Sequence, residues 1–273
     1  MYVGRIMTKT FRDLINSEKR FIGTYVMSPC DADLEVMKMA GVDFVILELE
    51  HERMTFTEIM PMVRICEACD LVAMVRVPEL NETMIKKVLD IGVSAVKIPD
   101  IENADQARRA VAFSKYPPEG LRGSCPFVRC NNYATGERSA CYAKANMETV
   151  VSVIIESMEG IKNMEEIVAV PGIDTISIGN IDLSMALGVP GQVFHPKVLE
   201  IVLKCGELCE AYGKCCSAQV VTPEDVKRFA RCKGITHFHV DTPPTMLYKA
   251  YKVLCEKSRE NFYPQISALM SQK

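Results

Sequence analysis

Short apolar runs alternate with amphipathic helical segments along the chain. The runs are continuous stretches of apolar residues, which is typical of parallel strands that are buried on both faces. Strands are predicted at residues 21–26, 43–48, 71–76, 94–99, 150–156, 174–179, 214–219 and 236–241. Helices are expected to begin at Asp31, Asn81, Thr222 and Asp241–Thr242, and to end at Gly41, Gly92, Gly213 and Gly234.

The number of strand–helix repeats predicts the architecture. Eight repeats in 273 residues give about 34 residues each, as in a (β/α)8 or TIM barrel of the α/β class. An open doubly wound sheet is the alternative, but no glycine fingerprint follows the first strand. No Pro- or Ser-rich linker divides the chain, so residues 1–273 are expected to form a single domain. The longest irregular stretch, residues 116–140, is expected to lie over the carboxyl ends of the strands.

Composition narrows the function classes. The net charge is -3, from 32 Lys+Arg and 35 Asp+Glu, and no basic run indicates nucleic acid as a partner. The sequence contains no run of about 18 consecutive apolar residues, so no segment is predicted to cross a membrane. The first residues lack the apolar core of a signal peptide. The 12 cysteines are expected to be reduced thiols in the core of a cytoplasmic protein. Cys66 and Cys69 have redox or zinc spacing, but no second pair of ligands follows them.

Charged residues close several of the apolar strands. They are Glu48, Glu50 and His51 after the second strand, Arg76 after the third, Glu156 after the fifth and Asp182 after the sixth. In a barrel these strand ends converge on one mouth, where active sites are built. Two carboxylates from neighbouring strands suit a hard octahedral cation such as Mg²⁺ or Mn²⁺. An arginine can stabilise an enolate and a histidine can transfer a proton, so the set indicates metal-assisted enolate chemistry on a 2-oxo acid.

The sequence resembles the HpcH/HpaI aldolase family, the metal-dependent class II pyruvate aldolases of the 2-oxo acid aldolase/citrate lyase-like superfamily. The resemblance runs from about Phe11 to Leu254 and is carried by AGVDFVILELEH, MVRVPELNETMIKKVLDIG, VKIPDIENADQARRAV, YPPEGLRG, VIIES, GIDTISIGNIDLS and HVDT. It implies a phosphoenolpyruvate/pyruvate-type barrel whose last helix is exchanged between the subunits of a homo-oligomer, a hexamer built as a trimer of dimers. It also implies reversible cleavage of a 4-hydroxy-2-oxo acid to pyruvate and an aldehyde.

The resemblance also implies roles for individual residues. Glu156 and Asp182 would bind the divalent metal ion, Mg²⁺ or Mn²⁺, with Co²⁺ as a further choice. Arg76 would face the pyruvate oxygen, and His51 would act in the acid–base step with support from Glu48. The remaining expected substrate contacts are Gly179, Asn180, Ile181, Arg122, Gly123 and Ser124.

Three departures from the family pattern keep other activities open. Glu48 stands where the family usually has Asp, Ile154 replaces a frequent Gln, and Asn180 changes the G-P-A-D motif. They leave the expected metal ligands and Arg76 in place but bear on the second substrate. One alternative is a citrate-synthase-like condensation of oxaloacetate with an acyl-CoA. The other is a non-catalytic barrel that binds an oxo acid.

Three further polar residues fall inside predicted strands. Lys97 is either a Schiff-base lysine or, the favoured interpretation, the partner of a carboxylate such as Glu48 or Glu50. His237 and His239 share one face of the last strand, so they contribute either to the pocket or, the more common outcome, to packing.

Overall fold

Eight parallel strands close into one barrel in the computed structural model, which describes residues 9–17, 19–51 and 54–270, with side chains up to residue 261. Residues 1–8, 18, 52–53 and 271–273 of the expected single domain lie outside the described residues. The strands are β1 (Phe21–Val26), β2 (Phe44–Glu48), β3 (Val72–Arg76), β4 (Ala95–Ile98), β5 (Val150–Ile155), β6 (Thr175–Ile178), β7 (Cys215–Gln219) and β8 (Ile235–Val240). Each pairs with the next in sequence and β8 pairs with β1, so the predicted (β/α)8 barrel is confirmed.

Helices surround the barrel and close its amino-terminal end. They are α1 (Phe11–Ile15), α2 (Asp31–Met39), α3 (Phe56–Ala68), α4 (Glu82–Asp90), α5 (Ala104–Ser114), α6 (Arg138–Glu148), α7 (Met158–Lys162), α8 (Met164–Val168), α9 (Asn180–Ala186), α10 (Pro196–Ala211) and α11 (Pro243–Met270). Short 3₁₀ helices span Arg129–Ala134 and Pro223–Phe229. Among the described residues, no helix is long and apolar enough to cross a membrane. The cytoplasmic location stays a prediction.

The helix boundaries follow the predicted caps closely. Asn81 accepts a hydrogen bond from the Met84 backbone N–H at 3.1 Å and begins α4. Asp31 is the first residue of α2 rather than its cap, which is Cys30. Gly92 follows α4 with a φ of 102°, a left-handed conformation that favours glycine.

Successive side chains of each strand point alternately outward, into an outer core beneath the helices, and inward, into the barrel interior. Outward residues such as Val45, Val96 and Ile176 join the large apolar cluster beneath the helices. The lower interior holds a second cluster, in which Phe11 of α1 meets the rings of Phe21 and Phe44 edge-on, with centroids 5.6 and 5.2 Å away. The amino-terminal end of the barrel interior is therefore filled with aromatic rings, and the pocket inside the barrel lies at its carboxyl end.

Seven of the 12 cysteines are buried, as predicted for small core residues, whereas four are partly buried and Cys255 is exposed. All are free thiols in the structure, and Cys66 of the C-x-x-C pair is buried in α3. Cys205 and Cys209 of α10 face Cys216 of β7, and their sulfur atoms lie within 4.8 Å of one another in the outer core.

The expected position of the long segment 116–140 is wrong. Arg122 Nη2 lies 2.7 Å from Asp90 Oδ1 at the end of α4, and Arg129 Nη1 lies 2.8 Å from Glu67 Oε1 in the last turn of α3. These helix ends mark the amino-terminal side of the barrel, because the helices run antiparallel to the strands. The segment lies there since it follows the helix α5 and not the strand β4, and chain segments that leave a barrel helix return to the amino-terminal side.

Candidate active site

One cavity of about 510 Å³ opens at the carboxyl ends of the strands. Six of the strands contribute a polar residue at or just beyond their carboxyl ends, and these are Tyr25, Arg76, Glu156, Ser177, Gln219 and His239. The first turn of α9 and the beginning of α11 form part of the rim. The cavity therefore lies where the sequence predicts the site.

Glu156 and Asp182 line this cavity from adjacent strands. Glu156 follows β5, and Asp182 lies in the first turn of α9, directly after β6, which pairs with β5. Glu156 Oε1 accepts a hydrogen bond of 3.0 Å from the backbone N–H of Asp100. Burial, together with the charges of Asp100, Glu50 and Asp182, raises the pKa of Glu156 to about 7, although the Asp100 hydrogen bond opposes this. Carboxylates that repel one another in this way form a favourable environment for a cation.

Gly179 leaves the space that the Glu156 carboxylate occupies. A Cβ atom at this glycine would lie 2.4 Å from both Cβ and Oε2 of Glu156, closer than non-bonded atoms approach. The next residue, Asn180, is buried, and its Oδ1 has no hydrogen-bond partner among the described residues. Ile181 is exposed at the rim. All three line the cavity, as the resemblance implies.

Arg76 is held by two carboxylates. Its Nε donates a hydrogen bond of 2.6 Å to Glu48 Oε2, and its Nη1 forms an ion pair of 2.9 Å with Glu50 Oε2. Its guanidinium carbon lies 5.2 Å from the ring centroid of Tyr25. Glu48 and Glu50 both reach Arg76 because they are two residues apart at the end of one strand. The positive charge of Arg76 is thus fixed in the cavity wall.

The structure revises the expected partner of His51. Glu48 is fully buried and accepts hydrogen bonds from the backbone N–H groups of Glu50 and His51, at 2.6 and 3.3 Å, so it stabilises the turn after β2. The carboxylate beside the His51 ring is instead Glu50, whose Oε2 lies 3.8 Å from Nε2. His51 itself is exposed at the mouth of the cavity. The Glu48 carboxylate is therefore directed to Arg76 and to the turn after β2, and not to the His51 ring.

Arg122, Gly123 and Ser124 do not line the cavity of their own chain. Arg122 is buried against Asp90 and lies over the ring of Tyr116, with its guanidinium carbon 4.4 Å from the centroid. This is the amino-terminal side of the barrel, opposite to the cavity. The expected substrate contact is therefore wrong within one chain, for the same reason as the position of the whole segment.

The two histidines of β8 have different environments. His237 lies deep in the barrel, stacked on Phe21 with a centroid distance of 4.9 Å, and it serves packing. His239 lines the cavity, and its Nδ1 has no hydrogen-bond partner among the described residues. Burial and the nearby charges of Lys97 and Arg76 lower the pKa of His239 to about 3, so the ring is neutral.

Tyr25, Ser177 and Gln219 also line the cavity, although the sequence pattern did not indicate them. None is charged, so none interrupts a strand pattern conspicuously. Their signal is positional: each occupies an inward position in the register, since Tyr25 pairs with Ile46 and Ser177 with Ser217. Strand parity could therefore have identified them.

A barrel whose strand ends carry acids, an arginine and a histidine around one cavity defines an enzyme. The family profile described as HpcH/HpaI aldolase/citrate lyase matches residues 22–239, and the chain belongs to this family. It is an aldolase, a carbon–carbon lyase.

Named relatives agree with this assignment. The 5-keto-4-deoxy-D-glucarate aldolase of Salmonella paratyphi C (strain RKS4594) is 32% identical over 224 residues, which are 82% of this chain and 87% of the relative. The HpcH/HpaI aldolase of Desulfitobacterium hafniense DCB-2 superposes with a TM-score of 0.84 at 25% identity, covering 92% of this chain and 96% of the other. The citrate synthase SbnG superposes with a TM-score of 0.83 at 26% identity, covering 92% and 98% of the two chains.

Proposed function

We propose that the chain reversibly cleaves a 4-hydroxy-2-oxo acid to pyruvate, or a related 2-oxo acid, and an aldehyde, with a divalent metal ion in the cavity. The observation that carries the proposal is the meeting of Glu156, Asp182 and Arg76 in one cavity at the carboxyl ends of the strands. A cation and a fixed guanidinium on the same cavity wall can both withdraw electrons from a bound 2-oxo acid.

Glu156 and Asp182 would hold the metal ion. Oxygen ligands from two carboxylates suit Mg²⁺ or Mn²⁺, with Co²⁺ as a further choice, and such ions keep positions for water and substrate oxygens. The fit rests on the raised pKa of Glu156, which is caused by burial and by the neighbouring negative charges, and on the space that Gly179 leaves beside its Oε2. When bound, the ion supplies Lewis-acid polarisation of the carbonyl group of the 2-oxo acid.

The side chains of the chain have separate tasks in this reaction. Arg76, fixed by Glu48 and Glu50, stabilises the negative charge that develops on the oxygen of the enolate. His51 accepts the proton of the 4-hydroxyl group as the carbon–carbon bond breaks, and Glu50 Oε2 lies 3.8 Å from its Nε2. Asn180 Oδ1 accepts a hydrogen bond from a substrate hydroxyl or a bound water.

The cavity favours a polar aldehyde. Gln219, His239 and Thr245 form its wall on the side of β7, β8 and α11, and each can donate or accept hydrogen bonds. The Salmonella relative is named for a keto-deoxy-glucarate, a hydroxylated diacid. We infer that the second product of this chain also carries hydroxyl or carboxylate groups.

The exchange of the pyruvate methyl protons in D₂O, followed by proton NMR, tests the shared core of the proposal. Exchange needs an enolate but no knowledge of the aldehyde. It should require a divalent metal ion, stop with EDTA, and disappear in Glu156→Gln and Asp182→Asn together with metal binding measured by calorimetry. Arg76→Met should bind metal but lose most of the exchange. Exchange that survives EDTA, with trapping of Lys97 by borohydride, would replace the metal with a Schiff base.

Condensation of oxaloacetate with an acyl-CoA is the second candidate, and the structural likeness to the citrate synthase SbnG favours it. Both reactions begin from an enolate, so the cavity suits either. Parallel assays of oxaloacetate with acetyl-CoA and of pyruvate with an aldehyde separate them. Turnover only in the first assay would identify a citrate-forming enzyme.

We also propose that the chain forms a homo-oligomer by exchange of α11, as a hexamer built from three dimers. Residues 244–261 of α11 are all exposed in the single chain. Its large apolar residues there are Met246, Leu247, Tyr248, Tyr251, Val253 and Leu254. A long helix that exposes apolar side chains in this way gains its stability from packing. Light scattering should give a hexamer, and Tyr251→Asp with Leu254→Asp should shift it to smaller species.

A further inference from the structure

A lysine lies inside the barrel, below the cavity. Lys97 is 1% exposed and points inward from β4, because its neighbours Val96 and Ile98 point into the outer core. The register places Arg76 of β3 on one side of it and Ser152 of β5 on the other. A buried amine thus sits one strand away from the guanidinium in the cavity wall.

This lysine has no carboxylate partner. Among the residues that the structure describes, none of the carboxylates lies within 4.0 Å of Nζ, because Glu48 and Glu50 are both engaged by Arg76. The predicted ion pair of Lys97 with either of them is therefore wrong. The hydrogen bond that Nζ makes, of 2.6 Å, goes to Ser177 Oγ. A charged ammonium has three N–H donors, so this environment favours the neutral amine.

One serine connects the amine to the cavity, and a second serine is hydrogen-bonded to the first. Ser177 Oγ lies 2.6 Å from Lys97 Nζ and 2.5 Å from Ser217 Oγ. Ser177 lines the cavity, whereas Lys97 and Ser217 lie behind it. Among the described residues, the Ser177 hydroxyl is therefore the hydrogen-bonded link between the cavity and Lys97.

The proposed reaction leaves one proton without a donor. Cleavage removes a proton from the 4-hydroxyl group, which is the task of His51, and it must add another to C3 of the enolate to form the methyl group of pyruvate. Ser177 lines the cavity, and its hydroxyl group is hydrogen-bonded to the buried, titratable amine of Lys97.

Resting on the function proposed above, we propose that Lys97 supplies the C3 proton through Ser177. The enolate double bond provides the electron pair of the new C–H bond as the O–H bond of Ser177 breaks. Ser177 Oγ takes a proton from the Lys97 ammonium, which becomes a neutral amine. Water that enters after product release returns the proton along the same path, and condensation runs each transfer backwards. Ser177 is then the group that touches substrate, and Lys97 is a positioning residue that acts through it.

The charged surroundings are consistent with an amine that exchanges its proton near neutral pH. Burial and the charge of Arg76 lower the pKa of Lys97 to about 7, against Glu156, Cys216 and Glu48, which raise it. The other titratable groups that face it are Tyr25, with its ring centroid 6.0 Å from Nζ, and the two neutral histidines of β8, His237 and His239. A group poised in this range is suited to general acid–base work.

Methyl exchange of pyruvate in D₂O, with the metal-loaded protein, tests the relay. Lys97→Met and Ser177→Ala should each slow exchange by about 10²- to 10⁴-fold without changing metal affinity. Lys115→Met is the matched control, because Lys115 is also buried but donates to the carbonyl oxygens of Asn146 and Thr149 at the other end of the barrel. This control should exchange at the rate of the unmodified protein.

A second readout needs no activity. The ¹³Cε resonance of Lys97, assigned by its absence in Lys97→Met, should titrate near neutral pH in the metal-free protein. Exchange at the unmodified rate in Ser177→Ala would overturn the relay, even if Lys97→Met fails to fold. A resonance that titrates only near the pKa of an exposed lysine would also overturn it. Absence of metal-dependent exchange in the unmodified protein would instead refute the proposed function, and the relay with it.

Discussion

Replacement of Lys97 by methionine should make the protein more stable at neutral pH, although it removes a hydrogen bond. Burial lowers the pKa of this lysine from 10.5 to about 7. At about 1.4 kcal/mol for each tenfold change, keeping the ammonium buried costs at most about 5 kcal/mol. Methionine has a similar shape and no charge, so this cost disappears in the variant.

The sign and the pH range follow from proton linkage. The folded-state pKa is lower than that of the unfolded chain, so the unfolded chain binds more protons between about pH 7 and 10.5. The destabilisation is complete below about pH 7 and is lost as the pH rises to about 10.5. It amounts to about 4 kcal/mol at pH 7 and about 2 kcal/mol at pH 9. Loss of the Ser177 hydrogen bond subtracts about 1 kcal/mol at every pH.

Urea unfolding followed by circular dichroism, at about pH 7 and about pH 9, measures this difference. Lys97→Met should be more stable than the unmodified protein by at most about 3 kcal/mol at the lower pH, and the advantage should shrink towards zero at the higher one. Lys204→Met, at an exposed position on α10, is the control for the general effect of methionine. Equal pH slopes for the unmodified protein and Lys97→Met would refute the burial of an uncompensated amine.

Three further substitutions test the site and the core. Gly179→Ala places a Cβ 2.4 Å from Glu156 Oε2, so it should weaken metal binding, measured by calorimetry, about 10- to 100-fold. Gly123→Ala is its control, because the new Cβ meets only the Lys86 side chain at 3.6 Å. This control should change neither metal binding nor turnover. Glu48→Gln should lower stability in urea by about 3 kcal/mol and reduce kcat, because it breaks a buried ion pair of Arg76. Phe11→Ala should cost about 3–5 kcal/mol of unfolding free energy, with turnover retained in the folded protein.

The controls in this set separate local from global effects. Reduced metal binding in Gly123→Ala would show that the segment on the amino-terminal side reaches the cavity after all. Unchanged binding in Gly179→Ala would show that Glu156 is not the metal ligand. Loss of turnover in Phe11→Ala at full folding would contradict the separation of the aromatic end of the barrel from the cavity.

The barrel was predictable from the sequence because its strands are continuous apolar runs with charged residues at their carboxyl ends. The predicted strand at residues 43–48 is observed as Phe44–Glu48, and the one at 236–241 as Ile235–Val240. A buried parallel strand admits few polar residues, so the pattern leaves little freedom in its position. The same reasoning located Glu156 and Asp182, which both line the cavity.

The contacts between side chains were less predictable, because they depend on the direction in which each side chain points and not on the spacing of residues along the chain. Glu48 was expected beside the His51 ring, but its strand position directs it inward to Arg76, and Glu50 takes the place beside the ring. The wrong expectation for Arg122 has another cause. The segment 116–140 follows the helix α5, which returns the chain to the amino-terminal side of the barrel, so it cannot lie over the carboxyl ends of the strands. Strand parity and chain direction would have corrected both.

The distribution of charge links the metal proposal to the buried lysine. Arg76 engages Glu48 and Glu50, so its charge is not available to Glu156 and Asp182. Burial raises the pKa of Glu156, and the negative charges of Asp100, Glu50 and Asp182 raise it further. The proposed divalent cation would supply two positive charges at this position. Lys97 would then not be needed to neutralise a carboxylate, and its ammonium would be free to pass its proton to Ser177 during turnover.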